Sequence, residues 1–355
     1  MAGSMGLRGL ALAAMLACTT QIANAQGAAD FYKGKTIQII VSTGPGTGHD
    51  NGVRLVARHM QKHMPGLGGI ITKNMPGGGH VLAANYIHNT APKDGLTLAA
   101  ILPAFILHQL IDGRGVRYDV RNFVWIGSSL SDNMNLYVWH TAGIKSLDDV
   151  YKKEVIMGAT GVGSYTATFP TVMNNLLGTK FKIVPGYRTT GQIHLAMEKG
   201  EVQGRAGNFF SSLKSDNADW LRDKKIDLIL QIGVKRDPEF ANVPLMSELG
   251  KTPEQNRVLQ LFSSEIAMGR AFSTTPKTPP DRVAYLRRAF EATMKDKEYI
   301  AEATKLRLPV RPLTHAQLEE ILAGIMSTPP ELIAQARKAK FGDTGPGGKG
   351  GGGKK

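Results

Sequence analysis

The stretch FYKGKTIQIIVSTGPGTGHDNGVRLVARHM, residues 31 to 60, decides the fold. Within it TIQIIVS (Thr36 to Ser42) is a β-branched, apolar run of strand length, which predicts a buried strand. STGPGTGHD (Ser42 to Asp50) then breaks the pattern with glycines and a proline. From about Asp50 to Met64 the apolar residues Val53, Val56 and Met60 recur on one face, which predicts a helix. Working outward, the same plan repeats. IITKN (Ile70 to Asn74) is a strand, MPGGGH (Met75 to His80) a glycine loop, Val81 to His88 a helix, and LTLAAIL (Leu96 to Leu102) a strand. NLYVWH, VIMGA and DLILQIGV continue the alternation through the middle third. Strands alternating with helices predict βαβ units and an α/β fold with largely parallel sheets.

Two further glycine-rich loops, ATGVGSYT (Ala159 to Thr166) and PGYRTTG (Pro185 to Gly191), also follow strands. Glycine lets a ligand approach the main chain closely. The helix start just beyond each loop presents unpaired N–H groups and partial positive charge. In a parallel sheet such loops gather at the carboxyl ends of the strands, where ligands bind. A hydrogen bond to a charged group contributes roughly 1.5–3 kcal/mol, and micromolar binding needs about 8 kcal/mol. A handful of backbone donors from several loops therefore suffices to hold a carboxylate. One such loop alone would be an ordinary structural turn; the recurrence carries the inference.

The C-terminal third reads as helical scaffold. Thr278 with Asp281, Thr314 with Gln317 and Thr328 with Glu331 have the spacing of N-terminal capping boxes. Pro279 and Pro329 are expected at first helical positions, and Leu318, Ile321, Leu322 and Ile325 form an apolar stripe. The opening MAGSMGLRGLALAAMLACTTQIANAQ has a basic residue (Arg8), a short apolar core and the small-residue run Ala23-Asn24-Ala25, the plan of a secretory signal cleaved after Ala25. A lipid-modified Cys18 is the alternative. The end, GDTGPGGKGGGGKK, is a Gly/Lys tail whose composition cannot order itself.

Several function classes are excluded or disfavoured. The 355 residues, 42% hydrophobic and 20% charged, fit one large or two smaller globular domains. The single cysteine rules out a disulfide framework and a Cys-based zinc site. No apolar run reaches the roughly 18 residues of a spanning helix. The net charge of +14, or +13 once Arg8 is removed, would suit nucleic acid. The basic residues are dispersed, however, without helix-turn-helix or zinc-finger spacing, so no nucleic-acid partner is expected. A positive field equally concentrates small anions. Gly44, Gly46 and Gly48, and Gly161 and Gly163 with Thr166, miss the dinucleotide spacing. Gly34-Lys35-Thr36 lacks the upstream P-loop glycine, with Ala29 in its place, and no nucleophile elbow occurs. His59 and His63 have a zinc-compatible spacing but no third ligand, and are expected on a solvated helix face. No metal and no cofactor are expected. Asp148 and Asp149 suit a helix start.

With these pieces in hand, the chain resembles the Bug-type extracytoplasmic solute receptors of tripartite tricarboxylate transporters. The resemblance rests on the stretch quoted above, on KNMPGGGHVLAANYIHNTAPKDGLTLAAIL, ATGVGSYTATFP and VPGYRTTGQIHLAMEKGEVQG, and on the return through RAFSTTPKTPPDRVAYLRRAF. It implies a two-lobed periplasmic binding protein of type II, the Venus-flytrap α/β fold, with mostly parallel sheets and a ligand cleft between lobes. Lobe one is expected at 30–136 and 260–342 and lobe two at 137–259, with hinge strands near Asn135 to His140 and Ser264 to Gly269. The implied function is capture of a small organic acid for membrane permease subunits, by a monomer that is not an enzyme. A ligand-sensing partner of a membrane sensor, or a secreted enzyme on the same fold, are the alternatives. Carried over residue by residue, the implied carboxylate loops are Thr43, Gly46, Thr47, Gly48, His49 and Asp50, with Gly77, Gly78, Gly79 and His80. Lobe two would contribute Thr160, Gly161 and Ser164, then Tyr187 and Arg188, and Asn208. His49 and His80 are expected either to meet the ligand, protonating near an anion, or to be exposed loop residues. Thr47-Gly48-His49-Asp50 departs from the family's usual Gly-Gly-x-Thr-Asp, Gln203 stands where Asp is usual, and Thr168 lies near a usual His. These departures concern the ligand and not the fold.

Overall fold

The computed structural model describes residues 27–342. The expected secretory leader with Cys18 and the 343–355 tail lie outside the described residues. β1 (Thr36–Val41) forms on the apolar run, and α1 (Gly48–Met60) follows its glycine loop. The helix starts two residues before Asp50 because Thr47 caps it, its hydroxyl accepting from the Asp50 amide at 3.3 Å. β2 (Gly69–Asn74), α2 (Val81–Asn85), β3 (Thr97–Ala100), α3 (Ala104–Leu107) and β4 (Val124–Ser128) complete the first run. The chain then builds β5 (Met134–Trp139), α4 (Leu147–Lys152), β6 (Val155–Ala159), α5 (Tyr165–Leu177), β7 (Phe181–Pro185) and α6 (Thr190–Glu198). β8 (Gly204–Phe209), α7 (Phe210–Asp216), α8 (Ala218–Arg222), β9 (Ile226–Ile232) and α9 (Pro253–Ser264) follow. It returns through β10 (Ala271–Thr274), α10 (Pro280–Lys295), α11 (Lys297–Lys305), β11 (Leu313–Thr314), α12 (His315–Met326) and α13 (Pro330–Phe341).

The strands make two sheets, ordered β11-β4-β10-β3-β1-β2 and β7-β6-β8-β5-β9. They are mixed rather than mostly parallel. β1 pairs in parallel with β2 and β3, and β6 with β7 and β8, while β10 and β5 run antiparallel to both their neighbours. The reason is topological. β5 and β10 are the first strands laid down after the chain passes from one sheet to the other. Such a strand enters at the end where the preceding sheet was left, so it runs back against strands fed by helices from the far end.

Residues 129–133 carry the chain across the first time, and 265–270 end the return. The two passages are bonded together: the Arg270 amide donates to Leu130 O at 2.9 Å, and Ser131 Oγ to Ala267 O at 3.0 Å. Gly269, at φ +60°, permits this, since a Cβ there would lie 1.8 Å from Leu130 O. Asn135 to His140, expected as one of the hinge strands, forms β5 at the interior of the second sheet and the turn residue after it. The polar and β-branched composition there serves a buried strand.

One apolar core runs through both halves, joining Ile40, Ala99 and Trp125 of the first sheet to Leu136, Met157 and Leu230 of the second. α13 fastens this back side. Asn175 on α5 donates to Ala339 O at 2.9 Å, and Arg114 lies over the Phe341 ring at 5.2 Å. On the front each sheet keeps its own core, one beneath α1, α10 and α11, the other beneath α6, α7 and α8. Among the described residues no helix is long and apolar enough to cross a membrane.

Candidate functional site: glycine loops over a buried polar slot

The first loop is organised from within. Asp50, 1% exposed, accepts from the Gly46 amide at 2.9 Å, Arg54 Nε at 2.9 Å and Asn74 Nδ2 at 2.8 Å. Burial pushes its carboxyl up, but these donors outweigh that and leave it below the ordinary carboxylate range. Thr43 and Thr47 share a hydroxyl bond at 2.9 Å, and Asn74 Nδ2 also reaches Thr43 O at 2.9 Å. Asp50 is therefore a brace for the loop, with its acceptors already occupied. The amides of Gly48 and His49, in the first turn of α1, have no intrahelical acceptor.

The second loop turns through four consecutive left-handed residues: Gly77 (φ 136°), Gly78 (58°), Gly79 (62°) and His80 (78°). Only glycine adopts such a run without strain, and a non-glycine residue at its end marks a constrained site. His80 Nδ1–H donates to Ser42 O at 3.1 Å, tying the second loop to the first. His49, 5% exposed, donates through Nε2 to Ala100 O at 3.1 Å, leaving Nδ1 buried without a partner. Burial drives His49 down to about 3 and His80 to about 4. Both rings are neutral and turned inward, so they are not exposed loop histidines.

In the second sheet, the Thr160 amide donates to Thr166 Oγ1 at 3.0 Å, and Ser164 Oγ donates to Gly161 O at 2.7 Å, shaping the turn into α5. Tyr187 packs on the front core, while Arg188 is exposed with its amide held by Gln192 Oε1 at 2.7 Å. Asn208 is buried, its Nδ2 3.4 Å from the Tyr137 hydroxyl.

These loops meet. A Cβ on Gly79 would lie 2.7 Å from Gly163 O, and one on Gly44 would lie 3.2 Å from Thr189 Cγ2. A Cβ on Gly48 would strike Ser212 Oγ at 2.3 Å and approach Asp216 Oδ2 to 2.9 Å. The first loop thus bridges the N-terminus of α6 and the flank of α7. Arg188 joins this cluster only through its main chain, its carbonyl 4.0 Å from where a Cβ on Gly44 would be, and the residue is exposed. Gln203 serves the sheet, since its Oε1 accepts from the Ile156 amide at 2.9 Å.

Near the bridge lies a cluster of buried polar side chains, a closed polar slot, that the glycine pattern did not reveal. Arg205 on β8 is 1% exposed; Nη1 donates to His194 Nε2 at 2.9 Å and Nη2 to Gly207 O at 3.4 Å. Burial pushes His194 down to about 3, so the ring is a neutral acceptor. The Tyr137 hydroxyl is 3.0 Å from the same nitrogen. Arg270 runs from the start of β10 into the same interface, 2% exposed, with Nη2 donating to Ser211 Oγ at 3.1 Å and Ser212 Oγ at 2.9 Å. Its Nη1 lies 2.2 Å from where a Cβ on Gly52 would be, so only glycine at 52 leaves it room. No sequence signal marked Arg205, since β8 reads GRAGNF, with glycines and a second polar residue, rather than as an apolar run.

A groove of about 620 Å³ opens on the front beside Gly48, between α1 with the end of α11 on one side and α7 on the other. Arg54, Arg58, Lys305 and Arg307 line it against Asp216 and Glu302. Asp216 opens onto this groove while Gly48 shields one side of it, and that desolvation raises its carboxyl. His59 and His63 are not a solvated face: they reach Glu302 at 2.7 Å and Asp296 at 2.9 Å and clasp α1 to α11. Among the described residues no group of three His, Cys, Asp or Glu side chains could hold a metal.

Comparison with known proteins places this geometry. A protein of Cupriavidus necator, described as a UPF0065 protein in the gbd 5′ region, is 25% identical over 240 residues, covering 64% of this chain and 68% of its own. The periplasmic binding protein BugD superposes with a TM-score of 0.67 at 16% identity, covering 86% of this chain and 97% of its own. MatC from Rhodopseudomonas palustris, with malate bound, gives 0.63 at 19% identity, covering 86% and 99%. These two likenesses establish the two-lobed binding-protein fold. The family model for the tripartite tricarboxylate transporter family receptor matches residues 53–326, well over half of the sequence. The chain belongs to that receptor family.

Proposed function

We propose that the protein is a periplasmic carrier that captures a small organic acid, a carboxylate, between its halves and presents it to permease subunits of a tripartite tricarboxylate-type transporter. The observation that carries this reading is the meeting of glycine loops from both sheets, Gly79 against Gly163 and Gly44 against Thr189. Main chain brought this close leaves amide donors, those of Gly48 and His49 among them, for one anionic group. The cationic lining of the groove draws anions toward the same place. The structural relative with bound malate supports the ligand class. The moving bodies in this reading are the two lobes expected at 30–136 with 260–342 and at 137–259, with the first boundary drawn back so that β5 (Met134–Trp139) lies wholly in the second lobe, pivoting on the bonded passages at 129–133 and 265–270. The carrier acts as a monomer after cleavage behind Ala25.

A thermal-shift panel of organic acids tests the binding step. A ligand at about a hundred times its Kd stabilises by about 2.7 kcal/mol, which raises Tm by roughly 4 °C in a chain of this size. At least one carboxylate should do so. A folded protein that no carboxylate stabilises would end the reading. Delivery is tested separately, by uptake in vesicles holding the permease subunits with and without the carrier.

A further inference from the structure

We infer that Arg205 is a ligand-binding residue whose guanidinium receives a second anionic group, so that this chain selects acids carrying two negative groups over acids carrying one. The inference rests on the carrier reading above and adds the residue that would set its specificity.

Arg205 has five N–H donors and almost no exposure, yet its hydrogen bonds go only to neutral groups, His194 Nε2, Gly207 O and the Tyr137 hydroxyl. Its Nε is buried without a partner, and no carboxylate among the described residues lies within salt-bridge distance. A buried guanidinium left this way is costly, and the partner that fits its planar fork is a carboxylate held by two parallel bonds. A second observation points into the same slot. Asn135 lies beside Asn208 in the β5–β8 register, is fully buried, and has both Oδ1 and Nδ2 unpartnered. Tyr137 sits opposite Arg205 in that register. The nearest acid, Asp216, is shared in its attraction between Arg205 and Arg270 and faces the groove. It does not pair with either.

The roof of the slot is the first loop, resting on Thr189 at the head of α6 and on Ser212 and Asp216 of α7. When that loop lifts from Ser212 and Asp216, the way opens toward Arg205, whose charge Asp216 feels. An acid held by the amides at the head of α1 would then project its far end toward Arg205. Charge complementarity at both ends follows from one loop and one strand.

Calorimetry on the mature chain with matched acids, adipate against hexanoate and succinate against butyrate, tests this. The diacid of a binding pair should bind at least thirtyfold tighter than its mono-acid. Arg205→Met should cut that ratio below threefold, with mono-acid affinity unchanged, and Arg205→Lys should retain part of it. A wild-type ratio near one, or an Arg205→Met variant that keeps the ratio, overturns the inference while leaving the carrier reading intact. If none of these acids nor any other carboxylate binds, both fall. Should Arg205→Met fail to fold, the nearly isosteric Asn135→Asp places a carboxylate in the slot and should weaken diacid binding at least tenfold; unchanged diacid affinity overturns the inference.

Discussion

Gly79 shows how much of the site hangs on single atoms. Its left-handed φ of 62° and its contact with Gly163 O are separate demands, and alanine meets neither. The φ alone costs about 1–2 kcal/mol, and the methyl group forces the two loops apart. Gly79→Ala should therefore lower stability in urea by about that amount and weaken carboxylate binding tenfold or more by calorimetry. Unchanged affinity would mean that the Gly79–Gly163 contact is incidental to binding. At this scale the sequence was informative where chemistry is local. Recurring glycines after strands marked the loops that meet. The inward turn of His49 and His80 was not legible, because it depends on burial and on carbonyls at Ala100 and Ser42, far away along the chain. The bracing role of Asp50, read from the sequence only as a ligand contact, was not legible, since it depends on Asn74 and Arg54 reaching its oxygens. Arg205 was invisible because a strand's alternation does not say which buried side chain is left unpaired.

Among the elements, the helix starts of the C-terminal third separate the readable from the unreadable. Thr314 caps α12 as expected: its hydroxyl accepts from the Gln317 amide at 3.3 Å and Gln317 Oε1 accepts in return from the Thr314 amide at 2.9 Å. Thr314→Ala should cost about 1 kcal/mol, measured by chemical unfolding, and Gln317→Ala a smaller part of the same total. Values near zero for both would show the cap to be ornamental. Thr278 and Thr328 do not cap. Each precedes two prolines, and a residue before proline is driven out of the helical region. Pro279 (ψ 135°) and Pro329 (ψ 145°) are accordingly extended, and the helices begin at Pro280 and Pro330. The Thr278 hydroxyl turns back to Thr275 O at 2.9 Å, and that of Thr328 to Ile325 O at 2.6 Å. The capping spacing was present, but the second proline shifted the register by one. Asp149, by contrast, closes a capping box with Ser146 where a helix start was read.

For the whole molecule, periodicity gave the α/β class but not the mixed sheets. Which way β5 and β10 run depends on where the chain crosses, and nothing in their own residues encodes it. The crossing carries a titratable group. Glu265, buried at the return passage, accepts from the Leu107 amide at 3.2 Å, with Tyr165 and Lys340 nearby. Burial pushes its carboxyl up to about 8, against the ordinary 4.5. Between those values the native chain holds a proton that the unfolded chain has released, so stability from this group falls as pH rises from 4.5 to 8. Each unit is worth up to about 1.4 kcal/mol. Glu265→Gln should remove that slope, gaining on the wild type as pH rises from 5 to 8 in urea titrations. Parallel curves for the two proteins would show that the carboxyl is ionised in the native state.

The core shared by both sheets, fastened by α13, has a mechanical consequence. A book with a glued spine opens only at its fore-edge. Fluorophores at positions 44 and 189 should change their energy transfer when a carboxylate is added, whereas a pair at 175 and 339 should stay constant throughout.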